Sequence, residues 1–267
     1  MFVLRPAPRL GKVMIDMECT TILLICNEKD NIEPLTRDVL DVYSENDIDG
    51  EVLLLDDGST DGSSEICDRL SDTEARVRCV HHGVNKGRSY AIRTGFQEAK
   101  GDVAIIMDGD RQYEPKEIPL FLSKIKEGND VVTGWRHQRS DPFIRKFISI
   151  VYNKYIIRRK FGLKIKDQNS GFKAFVRTKA VSMGFDPEGY LGLHRYILPL
   201  AALHGMKIEE IPIVHYTRPS GKSYIKFYTV PFLALRDLRR FNKEHRELIR
   251  SARASSASRS SAKRTGR

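Results

Sequence analysis

The chain has 267 residues, enough for one large domain with a substantial core. Apolar content of 40% and charged content of 30% are ordinary for a soluble globular protein carrying a polar tail. A net charge of +10 and a pI near 9.4 imply anionic partners: nucleotide, phosphorylated substrate, anionic lipid surface or nucleic acid.

The four cysteines, Cys19, Cys26, Cys67 and Cys79, lack close-paired metal spacing and fit a reducing compartment better than a disulfide framework. Met1 to Leu10 has no long apolar core, so no secretory signal is expected. No window approaches the roughly 18–20 consecutive apolar residues of a bilayer span. The expectation is a cytoplasmic protein, peripheral on a membrane at most.

In chain order, residues 1–18 carry Pro6, Pro8 and Gly11 and read as an irregular arm. Thr20 to Cys26 is a buried strand ending at Asn27-Glu28. A helix to about Asn46 follows, with Asp30 or Asn31 as its cap and Pro34 in its first turn. Glu51 to Leu55 is a second strand, ending at Asp56-Asp57-Gly58-Ser59-Thr60-Asp61-Gly62. A helix from Ser63 to about Leu70 and a short strand from Val77 to His81 come next. Gly83 to Arg88 is a glycine-rich loop leading into a helix to about Ala99. Val103 to Met107 is a strand buried on both faces, stopping at Asp108-Gly109-Asp110-Arg111-Gln112.

Buried strands alternating with helices indicate an open, mostly parallel α/β sheet. Ligands of such sheets sit outside the carboxyl ends of the strands. Four polar loops are therefore expected at one edge: Cys26 to Glu28, Asp56 to Asp61, Asn85 to Arg88, and Asp108 to Gln112. In an extended chain Asp108 and Asp110 point the same way and can share a hard divalent cation. A bare Asp-x-Asp is equally compatible with a polar loop of two solvated aspartates.

The second half reads as a helix from Pro115 to about Glu127, a strand from Asp130 to Gly134, and a helical stripe from Phe143 to Arg159. Arg145 and Ser149 lie four residues apart on one helical face beside apolar Ile144, Phe147, Ile148 and Val151. A turn at Asp167 to Lys173 leads to a strand-like run ending at Val176. A helix from Gly192 to His204, a strand from Lys207 to Val214, and a loop from Arg218 to Ser223 complete this half. The domain boundaries read as a catalytic unit over 19–226, an amphipathic, membrane-interfacial or domain-packed helix over 227–250, and a disordered basic tail over 251–267.

Asn27-Glu28, Asp56-Asp57-Gly58-Ser59-Thr60-Asp61, Asn85 with Gly87, and Asp108-Gly109-Asp110 with Gln112 occur in the order seen in family 2 glycosyltransferases of GT-A fold, which the chain resembles. Gly134-Trp135-Arg136, Asp167 with Ser170-Gly171-Phe172, and Arg218 with Gly221-Lys222-Ser223 resemble the polyprenyl-phosphate sugar synthases, dolichol-phosphate mannose synthase among them. The match covers about residues 20–227.

That resemblance implies a Rossmann-like GT-A sheet flanked by helices. It implies a nucleotide-sugar donor held by Cys26, Asn27, Glu28, Asp56, Asp57, Asn85, Gly87, Arg88, Asp108, Arg218 and Lys222. Mg²⁺ or Mn²⁺ would be bound by Asp108, Asp110 and Gln112, the last through a metal oxygen or bound water unless it is a plain loop residue. Asp61 is assigned to helix capping instead.

The implied acceptor is a polyprenyl or dolichyl phosphate. Its second pKa of about 6 leaves it anionic near neutral pH, so it needs cations to position it more than a base. Asp110, Arg136, Arg145, Ser149, Asp167 and His194 are the implied catalytic set. Asp167 would orient a sugar hydroxyl or an arginine, and His194 would contact sugar or metal or be a structural histidine. Departures from the pattern are Cys26 in place of proline and Tyr224 in place of lysine, with Lys226 as a substitute. The main alternative is a family 2 enzyme glycosylating a glycan hydroxyl. No nucleic acid partner is expected beyond the donor's own nucleotide.

Overall fold

The computed structural model describes residues 19–138, 158–219 and 230–252. Seven strands form one sheet in the order β3-β2-β1-β4-β6-β5-β7. They are β1 (Cys19–Ile25), β2 (Gly50–Asp56), β3 (Val77–His81), β4 (Val103–Asp108), β5 (Val131–Gln138), β6 (Lys173–Val176) and β7 (Ile208–Val214). All run parallel except β6, which pairs antiparallel with both β4 and β5. The mostly parallel α/β sheet expected from the sequence is present.

Both faces of the central strands are buried, which is why they read as continuous apolar runs. Along β4, Val103, Ile105 and Met107 join one core cluster with Leu23 and Ile25. Ala104 and Ile106 face the other way and join a second cluster with Ile22. Helices α1 (Lys29–Glu45), α2 (Ser63–Thr73) and α4 (Ile118–Lys126) cover the first face. The second is covered by α3 (Arg88–Glu98), α7 (Ile197–Leu203) and α8 (Val230–Glu244). Two shorter helices, α5 (Arg158–Phe161) and α6 (Arg177–Ser182), complete the set, and α6 had no signal in the sequence.

Several boundaries differ from the sequence reading. Helix α1 begins at Lys29, with Glu28 in the capping position and Pro34 in the second turn. Asn31 does not cap; its side-chain amide donates to the Glu28 carboxylate at 2.7 Å. The segment from Pro115 opens as a 3-10 turn, Pro115–Glu117, before α4, and Leu193–Tyr196 forms another before α7. Strand β5 continues past Gly134 and so carries Trp135 and Arg136, with a register shift between Arg136 and Gln138.

Helix α8 packs on the domain. Leu238 and Phe241 are buried in the second core cluster, Phe241 stacks on Tyr196, and the Tyr196 hydroxyl donates to the Ala234 carbonyl at 2.6 Å. Leu235, Arg236, Arg239 and Arg240 lie on its exposed side. No helix among the described residues is long and apolar enough to cross a membrane. The arm over 1–18, the Arg145–Ser149 stretch, Lys222, Tyr224, Lys226 and the tail from 253 onward lie outside the described residues.

Candidate active site

The register places the strand ends at one level: Ile25 pairs with Asp56 and Leu24 with Asp108. The four polar loops therefore meet at the carboxyl edge of the sheet. They are laced to one another by hydrogen bonds. Asn27 adopts a positive φ of 57° and its Oδ1 accepts the Thr60 amide at 2.7 Å. The Asn27 amide donates to Ser59 Oγ and the Glu28 amide to Ser63 Oγ, both at 2.9 Å. The Asn85 side chain reaches Cys26 Sγ at 3.1 Å. Asp61 accepts the amide of Ser63, the first residue of α2, at 3.0 Å, but the N-cap expected of it is instead Gly62, at φ 95° and with no side-chain cap bond.

Asp56 and Asp57 have internal partners. Asp56, 1% exposed, accepts from the Ser59 amide (3.0 Å) and Ser64 Oγ (2.6 Å), and contacts His81 Nδ1 at 2.8 Å. Asp57 contacts His82 Nδ1 at 2.7 Å and accepts the amides of Lys86 (2.9 Å) and Gly87 (2.8 Å). Asp57 thus fixes the Asn85–Arg88 loop against β2. Gly58 has φ 69° and packs where an added Cβ would lie 2.3 Å from the Asn85 nitrogen, so only glycine lets the loops close. Both aspartates set the shape of the donor edge through these loops.

Asp108 ends β4, and Gly109-Asp110 form a turn, so the two carboxylates approach through a turn and not through strand alternation. Gly109 donates to the Leu24 carbonyl at 2.9 Å, and a Cβ there would sit 2.8 Å from that oxygen. Asp108 Oδ1 pairs with Arg88 Nη1 at 2.6 Å. Asp110 Oδ2 pairs with Arg218 Nη2 at 2.8 Å, and Arg218 Nη1 lies 3.2 Å from Glu28. Burial and the neighbouring Asp108 charge raise the Asp110 pKa, while Arg218 opposes them. Burial likewise raises Glu28. The Gln112 side-chain amide donates to the Tyr216 carbonyl at 3.0 Å, leaving its own oxygen as the atom it can offer a cation.

Beyond this pair lies a second cluster of basic side chains, partly neutralised by carboxylates. Arg136 makes a bidentate ion pair with Asp167 (2.6 and 3.0 Å), with the side chains 12% and 1% exposed. Of the two roles open to Asp167, orienting an arginine is the one present. Arg88, Lys173, His194 and the Gln168–Gly171 turn line one small cavity. His194 Nδ1 contacts Ser89 Oγ at 3.0 Å; burial, then Arg195, Arg88 and Lys173, push its pKa well down and keep the ring neutral.

Comparison with known proteins decides the family. The model for glycosyl transferase family 2 matches residues 20–184. The chain belongs to that family. It is 32% identical over 212 residues to the undecaprenyl-phosphate 4-deoxy-4-formamido-L-arabinose transferase of Pectobacterium carotovorum, covering 78% of this chain and 62% of that protein. A Salmonella choleraesuis protein of the same name is 30% identical over the same share. The chain thus spans under two thirds of these relatives' length.

Among solved structures, the glucosyl-3-phosphoglycerate synthase of Mycobacterium tuberculosis with Mn²⁺ and UDP-glucose superposes with a TM-score of 0.65. Identity is 17%, over 88% of this chain and 83% of that one. The mannosyl-3-phosphoglycerate synthase of Rubrobacter xylanophilus gives 0.63 at 13% identity, over 86% and 75%. At such identity the likeness is one of fold: the GT-A fold of this family.

Within this family 2 chain, sequence reading missed Lys173 and Tyr113. Lys173 is 5% exposed and donates to the Ser170 carbonyl; burial, then Arg88, lower its pKa to about 7. The only sequence signal was a lysine in a strand otherwise apolar, Lys173-Ala174-Phe175-Val176. Tyr113 accepts the Gly171 amide at 2.6 Å, fixing the turn that abuts Asp108, and burial pushes its hydroxyl up to about 12.

Proposed function

We propose that this chain moves a hexose from a nucleoside-diphosphate sugar, GDP-mannose or a UDP-sugar, to the phosphate of a polyprenyl or dolichyl phosphate. The observation that carries the reading is that half-buried Arg88 and Arg136 and the buried Lys173 lie beside the Asp108–Asp110 pair, with the two arginines charged throughout and Lys173 charged at and below neutral pH. An anionic acceptor is held by cations. A hydroxyl acceptor needs a base, and the nearby Asp167 is already engaged with Arg136 while His194 is bonded to Ser89.

Asp108, part-exposed, and Asp110, buried, are two hard-oxygen donors whose charges repel, and they suit Mg²⁺ or Mn²⁺. Such an ion supplies Lewis-acid neutralisation of the departing diphosphate. Arg218 and Arg88, released from the aspartates, are placed to bind diphosphate oxygens bidentately. The acceptor phosphate oxygen attacks the anomeric carbon opposite the diphosphate. A carbon–oxygen bond forms as the one to the β-phosphate breaks, its electron pair leaves with the diphosphate, and configuration inverts. Arg136, steered by Asp167, and Arg145 with Ser149 position the acceptor phosphate. The exposed arginines of α8 and the basic tail favour an anionic membrane surface, where the lipid acceptor resides.

The test is incubation with a panel of radiolabelled nucleotide sugars, polyprenyl phosphate and Mg²⁺ or Mn²⁺. Label entering the organic phase from one donor is the expected result and names the sugar. Transfer only to a free glycan, with no lipid product from any donor, overturns the reading.

A further inference from the structure

On the far side of Asp56 from the sugar edge, α2 and β3 bring three donors together. Cys79 and His81 stand two apart on edge strand β3 and so share one of its faces. Asp68 comes from the middle of α2. Cys79 Sγ lies 3.1 Å from His81 Nε2, which lies 2.9 Å from Asp68 Oδ1. Among the described residues this is the one trio of possible ligands whose donor atoms all fall within 4.8 Å of one another.

The histidine is oriented by a fourth residue. Its Nδ1 contacts the buried Asp56 carboxylate at 2.8 Å, which assigns the ring proton to that nitrogen. Nε2 faces a sulfur and a carboxylate oxygen; against the effect of burial, Asp56 and Asp68 raise the ring's pKa to about 9, so a metal ion would take the place of the Nε2 proton. Carboxylate, imidazole and ligand donor in line is the arrangement that holds metal-bound histidines in place.

We propose that Asp68, Cys79 and His81 bind a zinc-class transition metal ion at a site separate from Asp108 and Asp110. One thiolate, one imidazole and one carboxylate select Zn²⁺ over the hard ions suited to the Asp108 pair. Tetrahedral bonds of about 2.0–2.3 Å place ligand atoms roughly 3.4–3.6 Å apart, so the trio opens by a few tenths of an ångström to admit the ion. Binding releases the His81 Nε2 proton and the Cys79 thiol proton to solvent and leaves a fourth position for water. The ion staples the edge strand to α2 and tightens the His81–Asp56 link behind the Ser59 amide. The residues escaped sequence analysis because their ligands come from two elements and show no paired-cysteine spacing.

The test is titration of the full chain with Co²⁺, read by absorbance, and Zn²⁺ competition against a chromophoric chelator. One equivalent of Co²⁺ is expected to give a thiolate charge-transfer band, lost in Cys79→Ser and retained in the Asp108→Ala/Asp110→Ala double variant. Asp68 is largely exposed, so Asp68→Asn leaves the fold intact; it is expected to weaken Zn²⁺ binding about 10–100-fold. Absence of the band, its survival in Cys79→Ser, or unchanged Zn²⁺ affinity in Asp68→Asn overturns the site. None of these outcomes bears on sugar transfer.

Discussion

Arg218 Nη2 sits 2.8 Å from Asp110 Oδ2, so the carboxylate that suits a cation is already held by a guanidinium. Arg88 does the same for Asp108 at 2.6 Å. A divalent ion entering alone must break both pairs, whereas an ion arriving with a diphosphate gives each arginine a new anion. Metal and nucleotide binding are therefore expected to be positively coupled, and equally so in both directions.

Arg218→Gln tests this. It is expected to strengthen Mn²⁺ binding to the nucleotide-free protein, to cut the metal–nucleotide coupling on the order of 10-fold, and to lower kcat/KM on the order of 10²-fold. Calorimetric titration of Mn²⁺ with and without nucleoside diphosphate gives the coupling. Weaker Mn²⁺ binding to the nucleotide-free variant would show that Arg218 does not compete for Asp110.

Gly171→Ala is expected to disable the metal pair from behind. A Cβ at Gly171 would lie 2.0 Å from Asp108 Oδ2 and 2.9 Å from Tyr113 Cε2. The Tyr113 hydroxyl bond to the Gly171 amide keeps the turn from retreating, so Asp108 must move. A displacement of that order costs about 10²-fold in rate. Activity measured against Mn²⁺ concentration is expected to show a raised metal requirement with a folded protein; an unaltered requirement counts against Asp108 as a ligand.

The Arg136–Asp167 pair is expected to serve both stability and turnover. Removing one partner of a buried ion pair costs about 3–5 kcal/mol. Asp167→Asn leaves the Arg136 guanidinium buried without its bidentate partner, and urea unfolding is expected to register a loss in that range. Arg136→Met with Asp167→Leu removes both charges and is expected to recover most of the stability while remaining inactive. A double variant as unstable as Asp167→Asn would place the loss in packing instead.

The parts of this site that sequence made legible are those fixed by topology. Strand–loop–helix repetition puts Glu28, Asp56, Asn85 and Asp108 at one edge whatever the tertiary detail, and the register of β1 with β2 and β4 does so. What it could not supply is which charges meet. Arg218 and Asp110 are 108 positions apart, and pair only because the chain returns over β7. Asp56 and Asp57 read as nucleotide-binding residues because carboxylates at strand ends often accept hydrogen bonds from base or ribose. Their partners, His81 and His82, come from the next strand's end and make them fasteners of the loops as well, a role that needs the tertiary contacts to be seen. Strand alternation was the wrong reason for bringing Asp108 and Asp110 together, since the strand stops at Asp108.

Lys173 provides the last prediction, one of pH dependence. Burial, then the Arg88 charge, lower its pKa to about 7 in the folded protein, while Asp167 and Asp108 partly offset them. An unfolded lysine titrates near 10.4. Between these values the unfolded chain binds a proton that the folded one does not, so this group's contribution to stability rises with pH. Below pH 7 the penalty is complete and constant. Lys173→Met lacks the ionisation and leaves the Ser170 carbonyl without its donor, so its offset from the parent is not diagnostic. The slope is. Urea unfolding at about pH 7 and about pH 9 is expected to show the parent gaining about 2 kcal/mol on the variant over that interval. Parallel stability curves would mean that Lys173 stays charged in the fold. A neutral amine at pH 8 would also leave acceptor positioning to the arginines, so Lys173→Met is expected to lose more turnover below neutral pH than above it.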